Sequence, residues 1–229
     1  YRTGKPVFDD IFMRLPVSIK VAFLGMLLAT VMGLPLGVLS AVKQYSPADS
    51  FLRVASTVLV AMPTFWLAML LILVFALYLG WLPAGGALTW QSYILPTITV
   101  GVPYGSKVLR MTRSTMLEEI RQDYVRTARS KGVPEKKVIY GHALKNALLP
   151  VITTIGSAFG AILGGSVIAE SVFNLPGLGS LIVLSIKAKV TPSVLASVLL
   201  LAVFFALIML IVDLVYAFID PRIKAKYAK

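Results

Sequence analysis

The feature that most constrains the fold is an uncharged run at residues 54–106, which contains no Asp, Glu, Lys or Arg. A helix of about 20 apolar residues spans the ~30 Å hydrocarbon core of a bilayer, so the run is long enough for more than one span. Glycine and proline at 80–86 (GWLPAGG) divide it. Only 14% of all residues are charged, whereas soluble domains carry about a quarter. The chain is therefore predicted to lie in a membrane.

Further apolar stretches predict five helical spans in a single domain covering residues 1–229. We place the spans at about 17–42, 54–79, 94–117, 146–170 and 192–219. None shows the strict alternation of a transmembrane β-strand, so the predicted fold class is an all-α integral membrane protein. Ser46-Pro47-Ala48-Asp49 has the sequence of a helix start, with an N-cap, a proline and an acid near the positive end of the dipole.

The positions of the basic residues predict the orientation. Most of the 22 Lys and Arg residues lie in one alternate set of connections, 43–53, 107–146 and 221–229. Cytoplasmic loops carry this excess, so Lys229 is predicted inside and Tyr1 outside. Export of 1–14 would require an earlier hydrophobic segment, so we expect another helix to precede Tyr1. The same distribution argues against nucleic-acid binding, because the positive charge follows the loops and forms no basic face.

The connection between the third and fourth predicted spans has the pattern of two short helices. Ile120, Tyr124 and Ala128 recur every four residues, which predicts an amphipathic helix. Gly132 is predicted to end it in a left-handed conformation, and Pro134-Glu135 to begin the next helix at its first two positions. We call residues 120–145 the elbow. Two interpretations remain open at this point: a docking site for a partner, or a basic loop lying on the lipid headgroups.

Basic side chains also end the third span. Lys107, Arg110 and Arg113 lie on one broad face, and their long stems are expected to extend towards the headgroups.

Several segments resemble one family of membrane proteins. They are 110–118 (RMTRSTMLE), 123–132 (DYVRTARSKG), 142–150 (HALKNALLP), 170–179 (ESVFNLPGLG) and 212–222 (VDLVYAFIDPR). In this order they resemble the dipeptide/oligopeptide permeases of binding-protein-dependent ABC importers, and most of all the first of the two paired permeases. The resemblance covers nearly the whole chain. It implies a five-helix type I ABC importer permease core, with a further N-terminal helix in the family.

In that family the elbow is the coupling region that fits a groove of the ATPase subunit. The general family pattern reads Glu-Ala-Ala, three residues, Gly, nine residues, then Ile-x-Leu-Pro. Here only Ala128, Gly132 and Leu144 match it, and the replacements are similar to those of the peptide-transport branch. The resemblance thus implies a coupling role for Tyr124, Arg126, Ala128, Ser130, Gly132, His142 and Leu144.

The resemblance also implies the partners and the function. The partners are a homologous second permease, two cytoplasmic ATP-binding subunits, an external peptide-binding protein and the lipid of a bacterial or archaeal plasma (inner) membrane. ATP and Mg would bind the ATPase subunits, and no cofactor is expected on this chain, which contains no phosphate-binding loop motif. The implied function is import of dipeptides or oligopeptides. Alternatives are a nickel or glutathione importer of the same family and, from other classes, a secondary transporter or channel or an intramembrane enzyme.

Four polar or turn residues outside the elbow are further candidates. Glu170 precedes a turn containing Pro176 and Gly177, and these three are predicted to form either an external gate or a structural turn. Asp213 is an acid within the last span, which makes it a functional candidate; pairing with a basic residue near the headgroups is the alternative. His142 is the one histidine, and with no cysteine in the chain a metal site is not expected there.

Overall fold

The structure, a computed structural model, describes residues 7–219, and for 213 and 215–219 it describes the backbone alone. The expectations for Tyr1 and Lys229, and for the side chain of Asp213, lie outside the described residues. Helices account for most of the described chain. They are α1 (Val7–Val42), α2 (Pro47–Ala61), α3 (Thr64–Leu71), α4 (Ile94–Ile120), α5 (Asp123–Ser130), α6 (Glu135–Lys137), α7 (Leu144–Val172), α8 (Leu178–Lys187) and α9 (Thr191–Ile219).

The stretch expected as the second span, 54–79, is not one straight helix. It contains the end of α2 and all of α3, which continues as a π-helical turn at Ile72–Tyr78, and the two parts are bent by 104°. The bend lies at Met62 and Pro63, whose ψ angles of 129° and 133° are extended. A residue that precedes proline is pushed out of the helical region, which gives the physical reason for the break.

The start of α2 confirms the helix-start pattern. The Ser46 side chain accepts a hydrogen bond from the Asp49 N–H at 3.2 Å, and Pro47 is the first helical residue.

By length and apolar composition, three of the described helices are able to cross a membrane: Val7–Val42, Glu135–Val172 and Thr191–Val212. The bent pair of α2 and α3 makes a fourth if it counts as one span. The helix at the expected third span, α4, is 27 residues long but is not among them. Its charged residues lower its hydropathy most, and four buried hydroxyl-bearing residues add to this: Thr99, Ser106, Thr112 and Thr115.

Helix α4 is the centre of the bundle, in contact with α1, α2, α3 and α7. It lies parallel to α1 at close range, because glycines remove the side chains at the crossing. A Cβ atom on Gly25 would lie 2.6 Å from the Val100 Cγ2 atom, and one on Gly33 would lie 2.5 Å from the Gly105 carbonyl oxygen. Small residues at spacing four allow such an approach between membrane helices. The close packing therefore fixes α1 and α4 against each other along the bundle.

The connection expected at 173–193 contains a ten-residue helix, α8. It packs against α1, α7 and α9, and four of its residues, Leu178, Gly179, Leu181 and Ile182, are buried with Ser185. The sequence pattern did not predict this helix, because it is too short to span a membrane and lies between two turn signals.

Candidate coupling site

The elbow begins where α4 ends and turns at Gly132. Helix α5 stops in a Schellman arrangement: the Gly132 N–H donates to the Arg129 carbonyl at 2.9 Å, and the Val133 N–H donates to the Ala128 carbonyl at 3.2 Å. Gly132 has φ of +74°, and nothing lies within 4 Å of a Cβ atom added there. The predicted left-handed end of the helix is therefore confirmed, and the need for glycine is one of backbone conformation alone.

The second arm of the elbow runs without interruption into the bundle. Pro134 is the N-cap and Glu135 the first helical residue, one position later than the sequence suggested. Helix α6 continues through a π-helical turn, Val138–Ala143, into α7, so that Glu135–Val172 forms one helix. The helix at the expected fourth span thus starts inside the elbow.

Val125, the one buried residue of α5, anchors the first arm of the elbow to the second arm and to the bundle. It packs in a cluster with the buried residues Val38, Ala41, Met116, Val138, Ile139, Ala143 and Ala147. Ile120 and Ala128, which the sequence pattern left in need of a covering partner, pack against this same cluster. Two of the three residues of the apolar stripe are therefore covered by the chain itself, and the third, Tyr124, is 37% exposed. Val125 was missed as a candidate, although its place beside the stripe in an amphipathic helix was a usable signal.

The opposite face of the elbow is polar and exposed. Of the predicted coupling residues, Arg126, Ser130, Gly132 and His142 are exposed, Tyr124 is 37% exposed, and Ala128 and Leu144 are half-buried. An exposed ion pair spans the turn, with Arg129 donating to both Glu135 carboxylate oxygens at 2.7 and 3.1 Å.

Tyr124 is fixed at the edge of this face by its hydroxyl, which donates to the Glu119 carboxylate at 2.5 Å. Partial burial and the hydrogen bond to Glu119 raise the pKa of the Tyr124 hydroxyl above its usual value. The hydroxyl therefore stays protonated, and able to donate, at neutral pH.

Beside the elbow, a buried ion pair connects three helices. Asp49 is fully buried and accepts two hydrogen bonds from Arg113, from Nε at 2.7 Å and from Nη2 at 2.9 Å. Ser40 donates to the same carboxylate at 2.5 Å and the Tyr45 N–H donates at 3.0 Å. The expectation that Arg113 extends to the headgroups is wrong, since it joins α4 to the end of α1 and the start of α2. Asp49 was expected only as a helix-start acid.

At the opposite end of α7, a buried carboxylate holds the turn that leads into α8. Glu170 is fully buried and accepts hydrogen bonds from Ser18 Oγ at 2.6 Å, Ser166 Oγ at 3.1 Å and the Ser180 N–H at 3.1 Å. A side chain at Gly177 would collide with this carboxylate. Pro176 is exposed on the same turn. These contacts are those of a structural turn that joins α1, α7 and α8. They do not test the role of an external gate, which stays a prediction.

No group of three or more His, Cys, Asp or Glu residues with metal-binding geometry occurs among the residues the structure describes.

Residues 33–225 match the family described as the binding-protein-dependent transport system inner membrane component. The chain belongs to this family. It is therefore a permease of an ATP-binding cassette importer and a multi-pass inner-membrane component, as the motifs implied. Family membership also rules against the secondary transporter and channel alternatives.

The permease is similar to curated relatives over most of its length. It is 41% identical to the glutathione transport system permease protein GsiC of Escherichia coli (strain K12) over 222 residues, which is 97% of this chain and 72% of that protein. The GsiC proteins of Shigella flexneri serotype 5b (strain 8401) and Salmonella paratyphi A (strain ATCC 9150 / SARB42) are 40% and 41% identical over the same shares of the two chains.

Solved importer structures share the fold. A permease chain of the MetNI methionine ABC transporter, in an inward-facing conformation, superposes with a TM-score of 0.78 at 17% identity, over 95% of this chain and 100% of that one. A chain of an amino acid ABC transporter gives a TM-score of 0.66 at 17% identity, over 94% of each. The all-α type I importer permease fold expected from the sequence is confirmed.

Proposed function

We propose that this permease carries small peptides, including glutathione, into the cytoplasm by the energy of ATP hydrolysed on partner subunits. Two observations support the substrate class: the peptide-branch replacements in the elbow, and the similarity to permeases named for glutathione transport. Dipeptides and glutathione share a free carboxylate and at least one amide. A nickel importer, the remaining alternative within the family, would carry a substrate with neither group.

The elbow is proposed as the docking site for a cytoplasmic ATP-binding subunit. The observation that carries this proposal is the division of the elbow into two faces. Most of its aliphatic residues pack around Val125, and Arg126, Ser130 and the Arg129–Glu135 ion pair remain exposed together with the two tyrosines Tyr124 and Tyr140. A loop lying on headgroups would turn apolar side chains towards lipid. An internally anchored polar projection instead suits a groove on a soluble partner.

The proposed assembly contains this permease, a homologous second permease, two ATP-binding subunits and an external peptide-binding protein. ATP and Mg bind the ATP-binding subunits, and this chain hydrolyses no ATP itself. The elbow faces the cytoplasm, in agreement with the basic residues around it. Closure of the ATP-binding subunits would move the elbow, and the uninterrupted helix Glu135–Val172 would carry that movement to the Glu170 turn at its far end.

Transport by the reconstituted assembly tests the substrate and the energy source together. Proteoliposomes containing all subunits would be supplied with binding protein and with labelled dipeptide, glutathione or nickel. We expect ATP-dependent accumulation of dipeptide or glutathione, and none when the ATP-binding subunits carry a substitution that abolishes hydrolysis. Accumulation of nickel alone would overturn the substrate class. Accumulation that persists without hydrolysis would overturn the mechanism.

A further inference from the structure

A half-open cavity of about 630 Å³ lies between α1, α4 and the segment that precedes α4. Its walls are mostly apolar, and one basic residue, Lys20, lines it. The volume is within the range of sites for small organic ligands. Neither the elbow nor the Glu170 turn contributes a lining residue, so the cavity is separate from both.

The walls form a groove that follows the two helices away from Lys20. Leu24 and Leu28 come one and two turns after Lys20 on the same face of α1, and Ile94 and Ile98 are one turn apart on α4. Since α1 rises about 1.5 Å per residue, the apolar floor extends roughly 12 Å from the lysine. This shape suits an acyl chain. A path for a peptide, by contrast, would need polar groups along its length to replace water around the amides.

The charged end of the groove contains a cation without an acidic partner. The Lys20 Nζ atom lies 4.8 Å from the centre of the Tyr93 ring, and none of the four ion pairs found among residues 7–219 includes it. An unpaired lysine on a membrane helix is costly, and an anion beside it would lower that cost. Trp90, 75% exposed, also lines this end. Tryptophan and tyrosine are typical of the level of the lipid headgroups.

The roof of the cavity is held in place before any ligand binds. The Gly86 N–H donates to the Phe173 carbonyl at 2.9 Å, and Gly86 adopts a φ of +86°. Ala87, the next residue, packs against the main core cluster and lines the cavity. The loop between α3 and α4 is therefore tied to the end of α7, and a ligand would not have to order it.

We infer that this groove binds an anionic phospholipid, with its phosphate beside Lys20 and an acyl chain between Leu24, Leu28 and Ile98. The charge of the headgroup complements the lysine, and the apolar floor complements the chain. The site is separate from the elbow, since no elbow residue lines it.

Native mass spectrometry of the assembled importer in mild detergent tests this inference. The complex would be titrated with phosphatidylglycerol, or with phosphatidylcholine of the same acyl chains. Loss of one lysine–headgroup contact should weaken binding by about five-fold. We therefore expect Lys20→Gln to weaken phosphatidylglycerol binding by that factor and to weaken phosphatidylcholine binding less, because the choline cation offsets the charge of its phosphate. Lys20→Arg should bind phosphatidylglycerol like the unsubstituted protein, and Ile94→Trp, which fills the groove, should weaken binding of both lipids.

The matched control is Lys107→Gln. Lys107 is also exposed on a membrane helix and lies 4.7 Å from the centre of a tyrosine ring, that of Tyr104, but it does not line the cavity. Its substitution should leave lipid binding unchanged. An equal loss in Lys107→Gln, or no loss in Lys20→Gln, overturns the inference. Displacement of the lipid by glycerol phosphate at equal concentration would also overturn it, because the site would then select the anion and not the chain.

Discussion

Removing the charge of Asp49 should destabilise the permease more than any comparable change at an exposed ion pair. Asp49 is fully buried and holds Arg113, whose side chain is only 17% exposed. The substitution Asp49→Asn keeps the shape of the side chain but leaves the Arg113 cation without its counter-charge. Loss of one partner of a buried ion pair costs about 3–5 kcal/mol, chiefly because the other charge remains buried.

That cost can be expressed as a change in melting temperature. For a chain of this length, 1 kcal/mol corresponds to about 2–4 °C, so Asp49→Asn should lower the Tm by roughly 6–20 °C. The assay is thermal unfolding of the purified permease in detergent, followed by circular dichroism and by loss of monodisperse protein on size exclusion. The substituted permease should keep its helical fold, because other contacts also hold α1, α2 and α4 together.

The elbow provides a matched control for this experiment. Arg129 and Glu135 form an ion pair of the same two-bond geometry, but their side chains are 38% and 60% exposed. Glu135→Gln should cost about 0–1 kcal/mol, since water and salt screen an exposed pair. If Asp49→Asn and Glu135→Gln lower the Tm by the same few degrees, burial does not set the strength of the Asp49–Arg113 pair and the reasoning is refuted.

Three further predictions concern the elbow and the orientation. Gly132→Val should abolish peptide uptake although the permease reaches the membrane in normal amounts, because a β-branched residue at φ of +74° strains the turn. Gly132→Asn should retain uptake, and equal uptake by both variants would remove the turn from the coupling argument. A cysteine at the exposed Ser130 should crosslink to the groove of the ATP-binding subunit with a yield that varies with nucleotide, and more strongly than one at the half-buried Ala128; an assembled complex without either crosslink would refute docking. In intact cells a cysteine at position 4 should react with an impermeant reagent and one at Ser130 should not; the reverse pattern would invert the topology.

Local signals in the sequence were sufficient for the long helices and for the elbow, but not for the short helix α8 or for the bend between α2 and α3. Apolar runs predicted the fold class because a membrane requires long uncharged helices. The Ser46-Pro47 start and the Gly132 turn were also predictable, because a cap and a positive φ depend on residues within a few positions of each other. The exact first residue of α6 was not predictable from the sequence. A proline at this point is compatible both with the N-cap position and with the first turn of the helix.

Tertiary structure alone decided which polar residues meet. Arg113 lies 64 positions from Asp49, and Ser18 lies 152 positions from Glu170, so no local pattern predicts either contact. The same holds for Lys20, which lines a cavity only because α1 and α4 pack side by side and the following loop is tied to α7. The sequence by itself determined a membrane-embedded helical permease with an elbow. Burial of a charge, and the partner that satisfies it, depend on distances in space, and only the folded chain sets those distances.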